Sequence, residues 1–223
     1  MLIVKPDFQR RIDLPGAGPC PRPVDIDRTT AALTRLVSLR VYSFARGTAI
    51  DGEAEGDEVF IVLMRGAADF AVTAAGSTQA ITLREDAARA FYMPPHSAYR
   101  LDAIADCDIA YARCMPMGDE APPVRSFVPV DGRLDIGDHA RGMTLSWAEM
   151  SPGSNDAPVT VDGGSPERFV HVRSRGGVAR LSGQDIGDWE SAVLRDGEVA
   201  MIEVKGEKID VLTISAAMRG RSG

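Results

Sequence analysis

Three side chains with acid–base and anion-binding chemistry alternate along one predicted strand in the second half of the chain. Glu167, His171 and Arg173 have the same parity, so an extended backbone directs all three to one face. Arg173 would grip a carboxylate through two parallel hydrogen bonds while His171 or Glu167 moved a proton near neutral pH. Proton abstraction beside a carbonyl, as in aldose–ketose isomerisation, is the natural reaction for such a set. The opposite face carries Val170 and Val172, and if that face packs inward, His171 points to water.

A second cluster of charged side chains lies in an acidic turn of the first half. Glu53, Glu55 and Asp57 also share parity, and an extended backbone would project the three carboxylates to one side. Carboxylate oxygens are preferred ligands of magnesium, calcium and manganese. The glycines Gly52 and Gly56 instead favour a solvated turn between strands. We therefore expect a turn here and keep the hard-cation site as the alternative.

Short apolar runs separated by Gly, Pro and Asp dominate the sequence, and this pattern predicts an all-β sandwich or barrel. The clearest predicted strands are Val37–Phe44, Val59–Arg65, Ala67–Thr73, Arg89–Met93, Asp108–Cys114, Met143–Glu149, Arg168–Arg173, Glu198–Val204 and Ile209–Ile214. A helix of one or two turns is predicted over Thr29–Leu36, because Asp27 and Thr29 can cap it.

The two halves of the chain resemble each other at three places that occur in the same order. The matched pairs are Leu39–Gly47 with Leu145–Gly153, Glu58–Gly66 with Glu167–Gly176, and Leu83–Asp86 with Leu194–Gly197. The prolines Pro122 and Pro123 form a stiff, extended connector between the halves. We predict two similar β units, residues 1–120 and 121–223.

The first half also resembles a known family of proteins. Gly47, the acidic turn 53–58, the strand that ends at Gly66, and the segment Phe91–Tyr99 with its Tyr-Met-Pro-Pro sequence resemble the two motifs of a cupin barrel. More narrowly, residues 41–114 are similar to the N-terminal barrel of the deoxy-glucuronate isomerase and ketodeoxyuronate isomerase bicupins. The resemblance implies two tandem antiparallel jelly-roll barrels, a homodimer, and a sugar-acid isomerase or related lyase activity in carbohydrate catabolism.

Positions that hold metal-binding histidines in cupins carry other residues in this sequence. The first barrel has Glu53 and Glu55 near the histidine pair, Glu58 near the glutamate and Tyr99 near the last histidine. The second half has residues 155–164 and 203–208 at the histidine positions, so Glu167 alone remains of its four ligands. Zinc or iron(II) requires at least three well-placed ligands, usually with imidazole among them. We therefore predict no metal and no cofactor.

The resemblance also places the turn around His96 at the mouth of the first barrel. Tyr92 and Tyr99 lie on strands beside this turn. Aromatic side chains at such a rim stack on sugars and other flat ligands, or they seal the end of the barrel. We predict a ligand site composed of Tyr92, His96, Tyr99 and Glu58, and the alternative is that these aromatics are packing residues.

Three functions remain compatible with these residues. The first is a degenerate, metal-free bicupin that binds a small anionic ligand, and the second is an active sugar-acid isomerase or lyase that uses Glu167, His171 and Arg173. The third is a structural or partner-binding protein whose barrels are filled. A hollow lined by His171 and Arg173 would favour catalysis or binding there, whereas filled interiors would leave no room for a ligand.

Composition limits the location and the partners of the protein. A formal net charge of −7 repels phosphate backbones, so we expect no nucleic-acid partner. The longest apolar run, Val59–Met64, is too short to cross a membrane, and the first residues lack a secretory pattern, so we expect a cytoplasmic protein without membrane contact. Cys20, Cys107 and Cys114 are expected to be reduced, buried thiols, with the last two on opposite faces of one strand.

Overall fold

The computed structural model describes residues 1–118, 120–137, 139–152, 166–174, 176–195, 197–198 and 201–217. In chain order its strands are β1 (Leu2–Val4), β2 (Arg11–Leu14), β3 (Gly18–Pro21), β4 (Val24–Asp27), β5 (Leu36–Phe44), β6 (Ala49–Glu53), β7 (Glu58–Arg65), β8 (Ala67–Ala74), β9 (Ser77–Arg84), β10 (Ala90–Met93), β11 (Ala98–Ala103), β12 (Cys107–Cys114), β13 (Arg125–Phe127), β14 (Arg133–Ile136), β15 (Met143–Met150), β16 (Glu167–Ser174), β17 (Val178–Leu181), β18 (Gln184–Ile186), β19 (Ser191–Arg195), β20 (Ile202–Lys205) and β21 (Ile209–Ala216). One helical turn, α1 (Arg28–Ala31), lies between β4 and β5.

Two antiparallel sheets form the first barrel. The larger sheet has the order β13-β10-β7-β12-β5-β4, and the smaller one has the order β6-β11-β8-β9. A tight turn at Gly66 joins β7 to β8. Gly66 has φ +85°, and a Cβ atom at this position would lie 2.0 Å from the carbonyl oxygen of Asp106, so only glycine fits.

The second barrel repeats this arrangement. Its larger sheet has the order β1-β19-β16-β21-β15-β14, and in the described residues its smaller sheet has the order β18-β17-β20. The central strands correspond one to one with those of the first barrel, since β7 lies between β10 and β12 as β16 lies between β19 and β21. The internal similarity seen in the sequence is therefore a similarity of strand order.

Three hydrophobic cores separate these four barrel sheets, and β2 and β3 form a fifth, two-stranded sheet. One core fills the first barrel, one fills part of the second, and the third lies between the two six-stranded sheets, which face each other. The large sheets are therefore buried on both faces. In β7, for example, Ile61 and Leu63 pack inside the first barrel while Phe60 and Val62 pack between the barrels.

Each large sheet also receives an edge strand from outside the half of the chain that forms it. β1, at the start of the chain, pairs with β19, with Leu2 opposite Val193. β13, which follows the proline-rich connector, pairs with β10, with Ala90 opposite Phe127. The two barrels are thus interlocked through their edge strands.

All nine predicted strands are present; of the one predicted at Glu198–Val204, residues 199 and 200 lie outside the described residues and the described strand is Ile202–Lys205 (β20). The predicted helix Thr29–Leu36 is reduced to one turn. Asp27 caps α1 as expected, accepting hydrogen bonds from the amides of Thr29 and Thr30. The helix ends because Ala32 adopts a left-handed conformation and because the amides of the residues that follow bind a glutamate of the second barrel.

Other sequence expectations are confirmed by the packing. The three cysteines are buried thiols, and Cys107 packs inside the first barrel whereas Cys114 packs between the barrels. No helix within the described residues is long and apolar enough to cross a membrane.

Candidate functional site

The predicted trio of the second half lies on the opposite face of β16 from the one expected. Val170 and Val172 pack inside the second barrel, so Glu167, His171 and Arg173 point toward the first barrel. The possibility that His171 and Arg173 line a hollow inside this barrel is therefore wrong. The alternative, in which the valines pack inward, is correct for the valines but wrong for His171, which is completely buried rather than directed to water.

Glu167 anchors the first half of the chain to the second barrel. Its Oε1 atom accepts hydrogen bonds from the amide and the hydroxyl of Thr34, the latter at 2.7 Å. Its Oε2 atom accepts the amides of Arg35 and Leu36, each at 2.8 Å. Burial raises the pKa of this carboxyl, but the hydrogen bonds outweigh burial and hold the pKa below its ordinary value. A carboxylate in this environment is an anchoring group rather than a base.

His171 is sealed in the core between the barrels. Its Nδ1 atom lies 2.9 Å from the hydroxyl oxygen of Ser191. Burial and the nearby positive charge of Arg173 lower the pKa of the imidazole to about 3. The ring is therefore neutral near pH 7 and exchanges no proton with a bound ligand in this position.

Arg173 occupies a third environment, an open cleft at one end of the barrel interface. Its guanidinium lies 3.7 Å from the ring centroid of Trp189 and pairs with Asp108 at 2.6 Å and Asp188 at 3.0 Å. The cleft has a volume of about 580 Å³ and is lined by Met64, Arg65, Glu85, Glu149, Arg173, Ser174, Asp188, Lys208 and Asp210. Acidic residues outnumber basic ones in this lining, and Arg173 is already paired with two of the protein's own carboxylates.

Glu58 repeats the role of Glu167 in the first barrel. Its carboxylate accepts the amides of Arg141 at 3.0 Å and Gly142 at 2.5 Å, both from the segment that enters the first long strand of the second barrel. The hydroxyl of Tyr92 donates to the same carboxylate at 2.9 Å. Two of the four predicted ligand-binding residues, Glu58 and Tyr92, are therefore brought together, but they lie between the barrels and not at a barrel mouth.

The other two predicted ligand-binding residues lie elsewhere. Tyr99 faces the interior of the first barrel, where its ring lies 6.0 Å from Phe70 and 6.2 Å from Tyr111 between centroids. Burial raises the pKa of its phenol well above the ordinary value. His96 is exposed, in a turn where its φ is +61°. The four residues predicted to form one rim therefore lie in three separate places: between the barrels, inside the first barrel, and on the surface.

The acidic turn of the first half faces an arginine. The guanidinium of Arg113 lies 2.5 Å from Glu55 and 2.7 Å from Asp57, whereas Glu53 is exposed. Arg113 thus neutralises two of the three carboxylates that the hard-cation alternative requires.

The described residues do not fit a cupin metal. Among them no group of three His, Cys, Asp or Glu side chains is placed to hold an ion. Glu58 and Glu167 bind amides between the barrels, and Glu203 is exposed on β20. The segment 155–164, which the family resemblance aligns with the second barrel's histidine pair, lies outside the described residues. We derive no chemistry through a metal.

Large side chains fill the interior of the first barrel. Across its central strands, Ile61 lies opposite Phe91 on one side and Tyr111 on the other. Phe70 from the smaller sheet packs against Phe91 with 4.8 Å between ring centroids. This core contains or contacts six aromatic side chains, namely Phe44, Phe70, Phe91, Tyr111, Tyr42 and Tyr99. Interlocked rings of this kind leave little room for a ligand.

The second barrel carries much smaller side chains at the corresponding places. Val170 lies opposite Ala192 and Thr213, and Thr213 lies opposite Ser146. The described part of its core contains no aromatic residue; its members are Met150, Val170, Val172, Ala179, Leu181, Ile186, Ala192, Leu194, Ile202, Ile209 and Val211. On this ladder, alanine and threonine of the second barrel thus take the places of phenylalanine and tyrosine in the first.

A buried arginine lies on this interior face, and sequence reasoning missed it. Arg168 has the parity of Val170 and Val172, is 3% exposed, and lies opposite Ser215 on one side and Leu194 on the other. The available signal was the arginine itself, since arginine is rarely fully buried and a strand buried on both faces is otherwise apolar. It was overlooked because the two valines on its face were interpreted as an ordinary core.

Hydroxyl groups lie on one side of Arg168, on the neighbouring strand β21 and on β15 beyond it. Ser215 lies opposite both Arg168 and Thr144, and Thr213 lies in the next row opposite Ser146. Side chains opposite each other on neighbouring strands are about 5 Å apart at Cβ. Within the described chain these four hydroxyls make no hydrogen bond to another residue. The guanidinium of Arg168, which makes at least one polar or electrostatic contact of its own, and these four hydroxyls thus lie on the same inner face at one end of the second barrel.

Comparison with known proteins agrees with this architecture. A model of the KduI/IolB family matches residues 20–134, whereas no curated protein sequence matches the chain. Among solved structures, protein Ylba from E. coli is similar with a TM-score of 0.72 and 15% identity, covering 99% of this chain and 92% of that one. An IolB-like protein from Salmonella typhimurium is similar with a TM-score of 0.67 and 14% identity, covering 98% and 94%. Oxalate decarboxylase from Lactobacillus farciminis, in its formate complex, has a TM-score of 0.70 and 9% identity, covering 96% and 86%. These likenesses and the paired sheets establish a bicupin fold, and the chain belongs to the KduI/IolB family.

Proposed function

We propose that this protein binds a small carboxylate-bearing ligand inside its second barrel, at Arg168. The observation that carries the proposal is a buried guanidinium on the inner face of a barrel whose core is free of aromatic residues in its described part, with hydroxyl-bearing residues on the next strand. An arginine presents its donors in a planar fork that matches a carboxylate, and this match is strongest away from water. The first barrel, filled with aromatic rings, then serves as a scaffold.

The hydroxyls beside Arg168 define the rest of the ligand. Thr144, Ser146, Thr213 and Ser215 each offer a donor and acceptors at the same end of the barrel. A ligand that carries hydroxyls next to its carboxylate satisfies both groups at once. A sugar acid has this chemistry, and membership in an isomerase-related family supports the same class.

The trio Glu167, His171 and Arg173 supports catalysis less well than Arg168 supports binding. Glu167 is occupied by amides, His171 is sealed and neutral, and Arg173 lies in a separate cleft. An isomerase mechanism through these three residues would require one ligand to reach all of them. We therefore propose a binding role, without assigning catalytic steps to the trio.

A thermal-shift titration with D-galacturonate, with neutral D-galactose as the control, tests the proposal. Ligand at about one hundred times its Kd stabilises a protein by about 2.7 kcal/mol, which for this chain length corresponds to a rise in Tm of about 5–10 °C. Galacturonate should raise the Tm and galactose should not. If no galacturonate concentration raises the Tm of the wild type, the proposal is wrong for this ligand class.

Three variants locate the site. Arg168→Gln should abolish the galacturonate-dependent shift, and Thr213→Val, which removes one hydroxyl at nearly constant volume, should reduce it. Arg173→Gln should keep the shift. The opposite result, with the shift lost in Arg173→Gln and kept in Arg168→Gln, would place the ligand in the cleft between the barrels.

A further inference from the structure

The proposed ligand site depends on a contact with the other barrel. Glu167 immediately precedes Arg168 at the start of β16, and alternation sends the two side chains to opposite faces. Glu167 points between the barrels and binds three consecutive amides, those of Thr34, Arg35 and Leu36. Arg168 points into the second barrel. The same short stretch of backbone therefore connects an inter-barrel anchor to the guanidinium of the site.

A neighbouring strand reinforces this anchor. Arg195 on β19 lies opposite Glu167 in the ladder, and its guanidinium donates to the carbonyl oxygen of Ala31 at 3.4 Å. Two adjacent strands of the second barrel thus hold one segment of the first half, which runs from the end of α1 to the start of β5. Because this segment ends in a long central strand of the first barrel, it is a rigid support rather than a loose loop.

We propose that Glu167 is a positioning residue that fixes Arg168 for ligand binding through its bonds to residues 34–36. This inference rests on the function proposed above. Glutamate is required because both carboxylate oxygens accept hydrogen bonds. A glutamine would turn an NH2 group toward at least one of these donors, and the start of β16 would shift to separate them.

The test measures galacturonate affinity by calorimetry at 15 °C, well below the unfolding range, for the wild type and Glu167→Gln. The expected result is a Kd raised about tenfold. This is the lower end of the loss of affinity that follows when the hydrogen-bond partner of a metal ligand is removed in metal sites. Thr34→Val removes a single donor to the same carboxylate and leaves the amides in place. It should raise the Kd by a smaller factor, about threefold, and it keeps the proposal testable if Glu167→Gln folds poorly.

The control is Phe70→Leu, a core variant inside the first barrel that lowers the Tm without touching the anchor. It should leave the Kd unchanged, which separates positioning from general loss of stability. If the wild type binds galacturonate and Glu167→Gln binds it equally well, the positioning role is wrong while the ligand site stands. If Phe70→Leu raises the Kd as much as Glu167→Gln, the effect is one of stability alone and the proposal is also wrong. If the wild type binds no galacturonate, the ligand site and its positioning residue both fall.

Discussion

The buried imidazole of His171 predicts how the stability of this protein depends on pH. The pKa of His171 is about 3 in the folded chain, against about 6.5 in an unfolded chain. Between these values the unfolded chain binds a proton that the folded chain excludes. The free energy of unfolding therefore falls as the pH falls below 6.5, and the contribution of His171 is complete only above that value.

The magnitude follows from the difference between the two pKa values. Linkage gives a loss of about 0.8 kcal/mol at pH 6 and about 2 kcal/mol at pH 5, relative to pH 7.5. Other titrating groups also contribute in this range, so the informative quantity is the difference between the wild type and His171→Gln. Glutamine keeps a polar partner for Ser191 but does not titrate, so its free energy of unfolding should fall about 2 kcal/mol less between pH 7.5 and pH 5.

Urea unfolding at pH 7.5, 6 and 5 measures this difference, followed by the fluorescence of Trp147 and Trp189. Both indoles are buried where the barrels meet, so their emission reports on the interface that encloses His171. The matched control, His96→Gln, removes an imidazole from an exposed turn and should keep the wild-type slope. Equal slopes for the wild type and His171→Gln would show that protons reach the ring in the folded protein, and the sealed interface would then be incorrect.

Two further substitutions test the packing that supports the site. Gly66→Ala should destabilise the fold by about 2 kcal/mol more than the control Gly76→Ala. Both glycines have a positive φ, but only at Gly66 would the added Cβ meet backbone, 2.0 Å from the carbonyl oxygen of Asp106. Equal losses of unfolding free energy in urea would contradict this close approach. Tyr92→Phe removes the hydrogen bond to Glu58 and should lower the free energy of unfolding by about 1–2 kcal/mol. In the control, Tyr99→Phe, the hydroxyl that is removed makes no hydrogen bond within the described chain, so the free energy of unfolding should change by less than about 0.5 kcal/mol. Similar losses for the two tyrosines would mean that Glu58 does not depend on Tyr92.

The fold could be predicted from the sequence because the same strand pattern occurs in both halves of the chain. The runs Glu58–Gly66 and Glu167–Gly176 have the same strand-to-glycine pattern, and each contains a central strand of a large sheet, Glu58–Arg65 and Glu167–Ser174. Short strands such as Val178–Leu181 and Gln184–Ile186 were missed, since three or four residues are too few to show alternation. The edge strand Leu2–Val4 was missed because its partner lies almost two hundred residues away.

The orientation of the candidate site was not predictable from alternation. Alternation distinguishes a buried face from a solvated one, but the strands Glu58–Arg65 and Glu167–Ser174 are buried on both faces. From the sequence alone, either His171 or Arg168 could face the barrel interior. The choice depends on which second sheet packs against each face of the strand. That information comes from packing between distant segments, which the local pattern does not contain.

The position of the two glutamates also determines where binding chemistry can lie. The family resemblance aligns Glu58 and Glu167 with a cupin metal ligand, yet both point between the barrels and bind amides of the opposite half. Because the face that carries these glutamates packs between the barrels, we expect a ligand to bind at the other face of the same strands, inside a barrel. On that face the first barrel offers Val59 among aromatic rings, and the second offers Arg168 among hydroxyls. The two halves thus share one scaffold, and the asymmetry of their interior faces is the reason for proposing that a ligand binds in the second barrel.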